Sequence, residues 1–140
     1  MYDIELVKEI LRQILWSTQT IARRFTLITS PEDFVVSEAG LEKFDAICMQ
    51  LIAIGESVKH LDKVTEGELL FRYPQIEWKR VMGMRDVLSH HYFDIDAEVV
   101  YATCDTHIKE LAKTVQRMLT CLLYTSPSPR DLSTSRMPSS

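Results

Sequence analysis

The sequence predicts an all-α protein, folded as an antiparallel bundle of four to five helices. Apolar residues recur at alternating steps of three and four along most of the 140-residue chain, which is the spacing of a helix face. Only four glycines and five prolines occur, so few positions interrupt these stretches. No segment shows the strand pattern of alternating apolar and polar residues. The length suits a single domain with a real core.

The first long helix is predicted over residues 3–28. Its apolar side consists of Ile4, Val7, Leu11, Ile14, Thr18, Ile21, Phe25 and Ile28. Ser30-Pro31-Glu32-Asp33 is typical of a helix start, because serine can cap, proline suits the first helical position and acids favour the first turn. A short turn through about Val36 is expected to follow.

A second long helix is predicted from Ser37 or Glu38 to Leu61. Its apolar side consists of Leu41, Phe44, Cys48, Leu51, Ile54 or Gly55, Val58 and Leu61. Gly55 lies inside this helix, where glycine costs about 1 kcal/mol relative to alanine, and a close approach of another backbone would explain it. Glu56 is expected to be solvated, with an inward position facing a base as the alternative.

One connector precedes the third predicted helix, and a second connector separates it from the last helix. A short helical or irregular stretch from Thr65 is predicted to stop at Tyr73-Pro74, since the residue before proline leaves the helical region. A third helix is predicted over residues 76–90, and the aspartates of residues 93–96 offer caps for the last helix. The third helix presents Ile76, Val81, Met84 and either Val87 or Leu88 on its apolar side. The last helix presents Val100, Cys104, Ile108, Leu111, Val115, Met118 and Leu122.

The periodic pattern ends near residue 122, so we predict one helical domain over residues 1–122. Residues 123–140 are rich in serine and proline and have no periodicity, which predicts a disordered tail. This segment also resembles translated vector sequence, and a non-native tail is therefore a second interpretation.

Charge and cysteine content limit the classes of function. The formal charge of −4 means that RNA could be bound only through a local basic patch, for which Arg72, Lys79, Arg80 and Arg85 are the candidates. Three widely spaced cysteines form neither a metal-binding pattern nor a disulfide framework, so we expect no metal or other cofactor. The N-terminus lacks the pattern of a signal peptide and no run could span a bilayer, which suits a reducing cytoplasm and no membrane partner.

The segment Arg85-Asp86-Val87-Leu88-Ser89-His90-His91-Tyr92 concentrates the groups that can move protons and bind phosphate. An arginine can direct two donors onto phosphate oxygens, and a histidine exchanges protons near neutral pH. These groups suffice for attack of a ribose hydroxyl on the neighbouring phosphodiester. His90 would act as general base or acid and Arg85 would stabilise the transition state. Asp86 could orient either of them, Tyr92 could contact phosphate or a base, and His91 is a second candidate for proton transfer.

The spacing leaves alternatives open. On a regular helix, Arg85 and His90 point about 140° apart, so they converge only if the helix ends within the segment, if Arg85 reaches around, or if a second subunit contributes. Arginine and histidine at a helix end can also simply complement its dipole. A zinc site of His90, His91 and Cys104 is disfavoured, because adjacent histidines rarely bind one ion on a helix.

Four segments carry a resemblance to a known family. Ile54-Gly55-Glu56, Ile76-Glu77-Trp78, Gly83-Met84-Arg85-Asp86-Val87-Leu88-Ser89-His90 and Tyr92-Phe93-Asp94-Ile95-Asp96 resemble the HepT-like toxins of the HEPN superfamily. The resemblance covers about residues 3–120. Its Arg-x4-His-x-Tyr motif is fairly specific at the end of the third helix of an all-α chain.

The resemblance implies a prokaryotic, metal-independent endoribonuclease that is the toxin of a type VII toxin–antitoxin pair. It implies a homodimer with both Arg-x4-His motifs lining the interface. The implied partner is a nucleotidyltransferase antitoxin of the MNT type, which adenylylates the tyrosine. By motif, Arg85 and His90 would be catalytic and Tyr92 would be modified, while Glu56, Asp86 and His91 would be supporting residues.

Two residues depart from the family pattern. Asp86 stands where asparagine is common, and its charge could weaken RNA binding. His91 stands where glycine is frequent, so the turn could differ. The alternative function is a non-catalytic helical subunit that binds a nucleotide or a protein and partners a nucleotidyltransferase.

Overall fold

A computed structural model describes residues 2–90 and 92–125 of the chain. Within these residues the chain is helical and contains no β-strand, so the predicted all-α class is confirmed. The long helices are α1 (Ile4–Phe25), α2 (Glu38–Val64), α4 (Trp78–His90) and α6 (Ile108–Thr125), and α3 (Glu68–Phe71) and α5 (Ala97–Ala102) are short. None of the helices in this part of the chain is both long enough and apolar enough to cross a membrane.

Three of the helices have an N-cap residue whose side chain accepts hydrogen bonds from the first turn. Asp3 accepts hydrogen bonds from the backbone N–H groups of Glu5 and Leu6, at 3.0 and 3.2 Å. Ser37 caps α2 and Asp96 caps α5 in the same manner. These polar residues satisfy N–H groups that have no partner within the helix, which is why the helices begin where they do.

The connectors contain shorter helical turns. A 3₁₀ turn over Pro31–Phe34 joins α1 to α2, as the proline-containing start signal suggested. A second 3₁₀ turn, Tyr92–Asp94, follows α4. A π-helical turn over Thr103–His107 joins α5 to α6, so the last predicted helix is interrupted by a wider turn.

The apolar sides of the helices form one core, in which α1 packs on α2 and α6, and α2 also packs on α4. The residues that the core buries most completely include Val7, Leu11, Ile14, Ile21, Phe34, Ile47, Leu51, Ile54, Val58, Leu61, Val115 and Met118. Most of the predicted apolar sides of the first, second and last helices belong to this core.

The predicted apolar side of α2 is wrong at its first position. Leu41 is 44% exposed, whereas Gly40 is buried. Gly40 faces the carbonyl group of Asp33 in the preceding 3₁₀ turn so closely that a side chain could not fit there. This contact fixes the rotation of the first turn of α2 and directs Leu41 outward.

Several predicted boundaries shift by a few residues. α1 ends at Phe25, whereas the prediction extended to residue 28, and α2 continues to Val64. α4 begins at Trp78, two residues later than predicted, and the Trp78 indole Nε1 donates to the carbonyl oxygen of Tyr73 at 2.8 Å. The last helix reaches Thr125, so residues 123–125 are helical, and the rest of the predicted tail, 126–140, lies outside the described residues.

Candidate active site

The candidate site is built where α2 and α4 come closest. A Cβ atom placed on Gly55 would lie 3.0 Å from the Val81 carbonyl oxygen and 3.2 Å from the Arg85 amide nitrogen. The absence of a side chain at Gly55 therefore lets the backbones of the two helices meet, as its position in the sequence suggested. This contact brings Glu56, the next residue of α2, beside Arg85 of α4.

Arg85 is held by two carboxylates. Its Nε donates to Oε2 of Glu56 at 2.9 Å, and its Nη1 donates to Oδ1 of Asp86 at 3.1 Å. The hydrogen bond to Glu56, followed by that to Asp86, raises the pKa of the Arg85 guanidinium above its ordinary value. The Arg85 side chain remains 43% exposed. The cation is therefore oriented by the protein and still accessible from solvent.

The sequence left open whether Glu56 is solvated or faces a base. Its side chain is 56% exposed and also contacts a base, so it is both solvated and paired. Asp86 contacts Arg85, as the sequence allowed, through an equally exposed carboxylate.

His90 is oriented by the main chain of its own helix. Its Nδ1 lies 3.0 Å from the carbonyl oxygen of Asp86, one turn earlier in α4. A carbonyl oxygen can only accept, so this hydrogen bond requires the proton on Nδ1, and in the neutral ring the lone pair is then on Nε2. The exposed imidazole is therefore in the tautomer that can accept a proton through Nε2. Sequence reasoning missed this role of the Asp86 carbonyl, because every helical residue has a carbonyl four positions earlier and residue type does not show which one a side chain uses.

The structure brings Glu56, Arg85 and Asp86 into direct contact, and Asp86 links them to His90. α4 is helical through His90, so Arg85 and His90 keep their divergence of about 140° around the helix axis. Tyr92 begins the following 3₁₀ turn, but its side chain lies outside the described part of the chain. His91 lies outside the described residues altogether.

The basic patch suggested by the sequence is largely neutralised in this structure. Arg72 pairs with Glu68 at 3.3 Å, and Arg80 pairs with Glu77 at 3.0 Å, in addition to the two carboxylates at Arg85. Each arginine of the patch thus already has an acidic partner. Lys79 is exposed on α4.

The disfavoured zinc set gains no support from the geometry. Cys104 is buried in the π-helical turn, and burial raises the pKa of its thiol to about 12, which keeps the sulfur protonated and a poor metal ligand. Burial likewise raises the pKa of the Cys48 thiol to about 12. Among the residues that the structure describes, no group of three or more His, Cys, Asp or Glu side chains could hold a metal ion.

The residues around Arg85 lie on the surface of α2 and α4. A cavity of about 320 Å³ instead lies between α1 and α6, with Thr18, Phe25 and Cys104 among its lining residues. The candidate site is therefore an open surface on one copy of the chain.

Comparison with known proteins assigns the chain to a family. The sequence model described as "Ribonuclease HepT-like" matches residues 5–118, which includes both α2 and α4. "Putative RNase TTE0752" of Caldanaerobacter subterraneus is 35% identical over 88 residues, covering 63% of this chain and 72% of the relative. "Putative RNase MJ0125" of Methanocaldococcus jannaschii is 33% identical over 96 residues, covering 68% of this chain and 76% of the relative.

A third relative carries the family's own name. "Probable ribonuclease HepT" of Thermococcus cleftensis is 29% identical over 108 residues, covering 77% of this chain and 78% of the relative. No solved structure matches the chain. The matched region contains every residue of the Glu56, Arg85, Asp86 and His90 arrangement. The chain belongs to the HepT-like ribonuclease family.

Proposed function

We propose that the chain is an endoribonuclease and the toxin of a type VII toxin–antitoxin pair, and that it cleaves RNA through Arg85 and His90 without a metal ion. Membership of a ribonuclease family supports the cleavage of RNA as the reaction class. The observation that carries the assignment to these residues is the geometry of His90. Its Nδ1 donates to the Asp86 carbonyl, which leaves Nε2 ready to take a proton at an exposed position.

The proposed reaction is attack of the ribose 2′-hydroxyl on the adjacent phosphorus. Nε2 of His90 takes the hydroxyl proton as the new P–O bond forms. The P–O5′ bond then breaks, and an imidazolium gives a proton to the leaving oxygen, so that a 2′,3′-cyclic phosphate and a 5′-hydroxyl result. Arg85 neutralises the negative charge that accumulates on the phosphoryl oxygens. The base, the acid and the cation are all side chains of this chain.

We propose that a homodimer supplies the complete site. Because Arg85 and His90 diverge by about 140° on α4, an arginine from one copy and a histidine from the other would meet more readily at one phosphate than the two residues of one chain. A twofold dimer would then hold two equivalent sites, each with one Arg85 and one His90.

We further propose that an MNT-type nucleotidyltransferase antitoxin neutralises the toxin by adenylylating Tyr92. Tyr92 follows His90 by two residues in the chain and begins the turn after α4. An adenylyl group there would add bulk and negative charge where an RNA phosphate must approach. Such a toxin would act in the prokaryotic cytoplasm, where its RNA substrate and its antitoxin are found.

The first test is cleavage of total cellular RNA by the purified protein in EDTA, with His90→Ala beside the wild type. General acid–base catalysis contributes about 10²–10⁴-fold, so His90→Ala should reduce cleavage by at least the lower figure. His107→Ala is the matched control, because His107 is exposed on the π-helical turn and belongs to a different helix. This control should cleave RNA at the wild-type rate.

The other results would contradict the proposal. Equal cleavage by His90→Ala and the wild type would assign the activity to another residue or to a contaminant. An unmodified wild-type protein that does not cleave RNA would support the alternative of a non-catalytic binding subunit, and its mass would show whether an adenylyl group is present.

A further inference from the structure

We propose that the two carboxylates that hold Arg85 have opposite roles in RNA cleavage. Glu56 positions the guanidinium for catalysis, whereas Asp86 competes with the RNA phosphate for it. This inference rests on the proposed ribonuclease function. With these two partners, Arg85 is held in a fixed position while its affinity for the RNA phosphate stays low.

Glu56 occupies the part of Arg85 that a phosphate does not need. It accepts from Nε at 2.9 Å, and it belongs to α2, not to the helix of Arg85. The contact of Gly55 with the α4 backbone fixes the distance between the two helices at this point. Glu56 therefore restricts rotation of the guanidinium and leaves the edge formed by the two Nη atoms for a phosphate.

Asp86 occupies that outer edge. Its Oδ1 accepts from Nη1 at 3.1 Å, and its side chain is 58% exposed. A phosphate that binds the two Nη atoms competes with this carboxylate for the N–H donors of Nη1, and the two negative charges repel each other. Asp86 thereby lowers the affinity for RNA.

The other contact of Asp86 does not depend on its side chain. His90 bonds to the Asp86 main-chain carbonyl, so a substitution at this position leaves the acceptor of the imidazole in place. Asp86→Asn should therefore change phosphate binding without disturbing the general base. The effect of the Asp86 side chain on phosphate binding can therefore be measured separately from the effect of its carbonyl on His90.

The test compares Glu56→Gln and Asp86→Asn in cleavage of a fluorescent oligoribonucleotide. Asp86→Asn should lower KM about two- to fivefold with kcat unchanged, which is the range for loss of one exposed ion pair. Glu56→Gln should lower kcat about tenfold with little change in KM, since loss of a supporting partner misplaces a catalytic group. Both variants remove one negative charge, so a general electrostatic effect would shift both in the same direction.

Glu110→Gln on α6 is the matched control for charge, because it removes one exposed carboxylate from another helix. It should leave both kinetic constants unchanged. Thermal unfolding of all variants checks that the fold is retained. Equal effects of Glu56→Gln and Asp86→Asn, in either direction, would overturn the inference.

Binding of an RNA that carries a 2′-deoxy nucleotide and cannot be cleaved separates this inference from the proposed function. A wild type that binds this RNA without cleaving the normal one would contradict the ribonuclease proposal, and with it the catalytic role of Glu56, but not the competition by Asp86. Tighter binding by Asp86→Asn would then still support its competing role, and unchanged binding would overturn it. A wild type that neither binds nor cleaves RNA would contradict both.

Discussion

Gly55 determines how closely α4 packs against α2. Two of the three atoms closest to its missing Cβ belong to the α4 backbone, and the third is the Cβ of Arg85. Backbone atoms in a regular helix cannot move separately, so a side chain at Gly55 would push α4 as a whole away from α2. The displaced helix would carry Arg85 with it and stretch the bond to Glu56.

We expect Gly55→Ala to destabilise the protein. Overpacking costs about 1–3 kcal/mol, which exceeds the gain of about 1 kcal/mol that alanine brings to a helix interior. The free energy of unfolding in urea should therefore fall by about 1 kcal/mol, and cleavage should weaken because Arg85 is displaced. The measurement is the urea midpoint together with the rate of RNA cleavage.

Gly83→Ala provides the control for this prediction. Within the described part of the chain, no atom outside the backbone of its own helix and its two chain neighbours lies within 4 Å of a Cβ built on Gly83, so alanine fits there without moving its surroundings. The variant should gain about 0.5–1 kcal/mol of stability. A stability gain for Gly55→Ala of the same size would show that the helices adjust freely and that the close contact is not a constraint.

The sequence predicted these residues better than it predicted their contacts. The interior glycine indicated a close backbone approach, and the motif singled out Arg85 and His90. It left open whether Glu56 is solvated or meets a base, because the periodic pattern does not fix how α2 and α4 are rotated against each other. It also missed the Asp86 carbonyl, since a main-chain acceptor has no signature of its own in residue type.

At the scale of elements, the sequence identified every long helix but not the interruption in the last one. Val100, Cys104 and Ile108 are all buried, although two successive steps of four drift by about 80° on an ideal α-helix. The π-helical turn over Thr103–His107 widens the helix there and keeps all three in the core. Thr103 Oγ1 donates to the carbonyl oxygen of Val99 at 2.8 Å within this region. The two successive four-residue steps between these residues indicate the wider turn, but a prediction that assumes a regular α-helix does not detect it.

The turn that connects α1 to α2 depends on one carboxylate. Asp33 accepts from the backbone N–H and hydroxyl of Thr29, at 2.8 and 2.9 Å, and from the backbone N–H of Ser30 at 3.3 Å. The backbone hydrogen bond of Thr29, followed by its hydroxyl, holds the pKa of Asp33 below its ordinary value of 3.8. The ionised form is therefore the one that stabilises the turn.

We expect the stabilisation by Asp33 to be lost in acid. A carboxyl group with a lowered folded-state pKa stabilises the fold above its unfolded-state pKa, and this contribution disappears as the pH falls through the folded-state value. The difference in unfolding free energy between the wild type and Asp33→Asn should be largest at neutral pH. It should shrink at pH values below 3.8. Urea unfolding across this pH range measures it.

Glu32→Gln is the control in the same turn, because it removes the neighbouring carboxylate and leaves the bonds of Thr29 and Ser30 in place. Its difference from the wild type should be smaller at neutral pH than that of Asp33→Asn. A difference for Asp33→Asn that stays constant down to the most acidic pH would contradict the role given to the ionised carboxylate.

At the scale of the whole molecule, α4 is the least buried of the four long helices in the described part of the chain. Its packing is mainly against α2, and of its thirteen residues the core buries Trp78 and Leu88. Val87 is 56% exposed between the two motif residues. Leu88, and not Val87, therefore belongs to the apolar side of α4 that packs into the core. The exposed Val87 side chain remains available for contact with the proposed second copy.

The proposed composite site predicts complementation between inactive chains. In a heterodimer of Arg85→Ala and His90→Ala chains, one of the two sites would combine the intact arginine of one chain with the intact histidine of the other. Two different affinity tags on coexpressed chains would allow this heterodimer to be purified. We expect it to recover about half of the wild-type activity, since a twofold dimer has two equivalent sites.

The reciprocal heterodimer gives the opposite expectation and so decides where the site is formed. When a wild-type chain pairs with a chain carrying both substitutions, every composite site lacks one of its groups, and we expect no cleavage. If Arg85 and His90 of a single chain acted together, the wild-type chain would keep its site, and this heterodimer would be half active while the first would be inactive. The divergence of about 140° on an unbroken α4 favours the composite arrangement. Failure to recover any doubly tagged complex would contradict the proposed dimer itself, because two coexpressed chains that form a dimer must also form the mixed one.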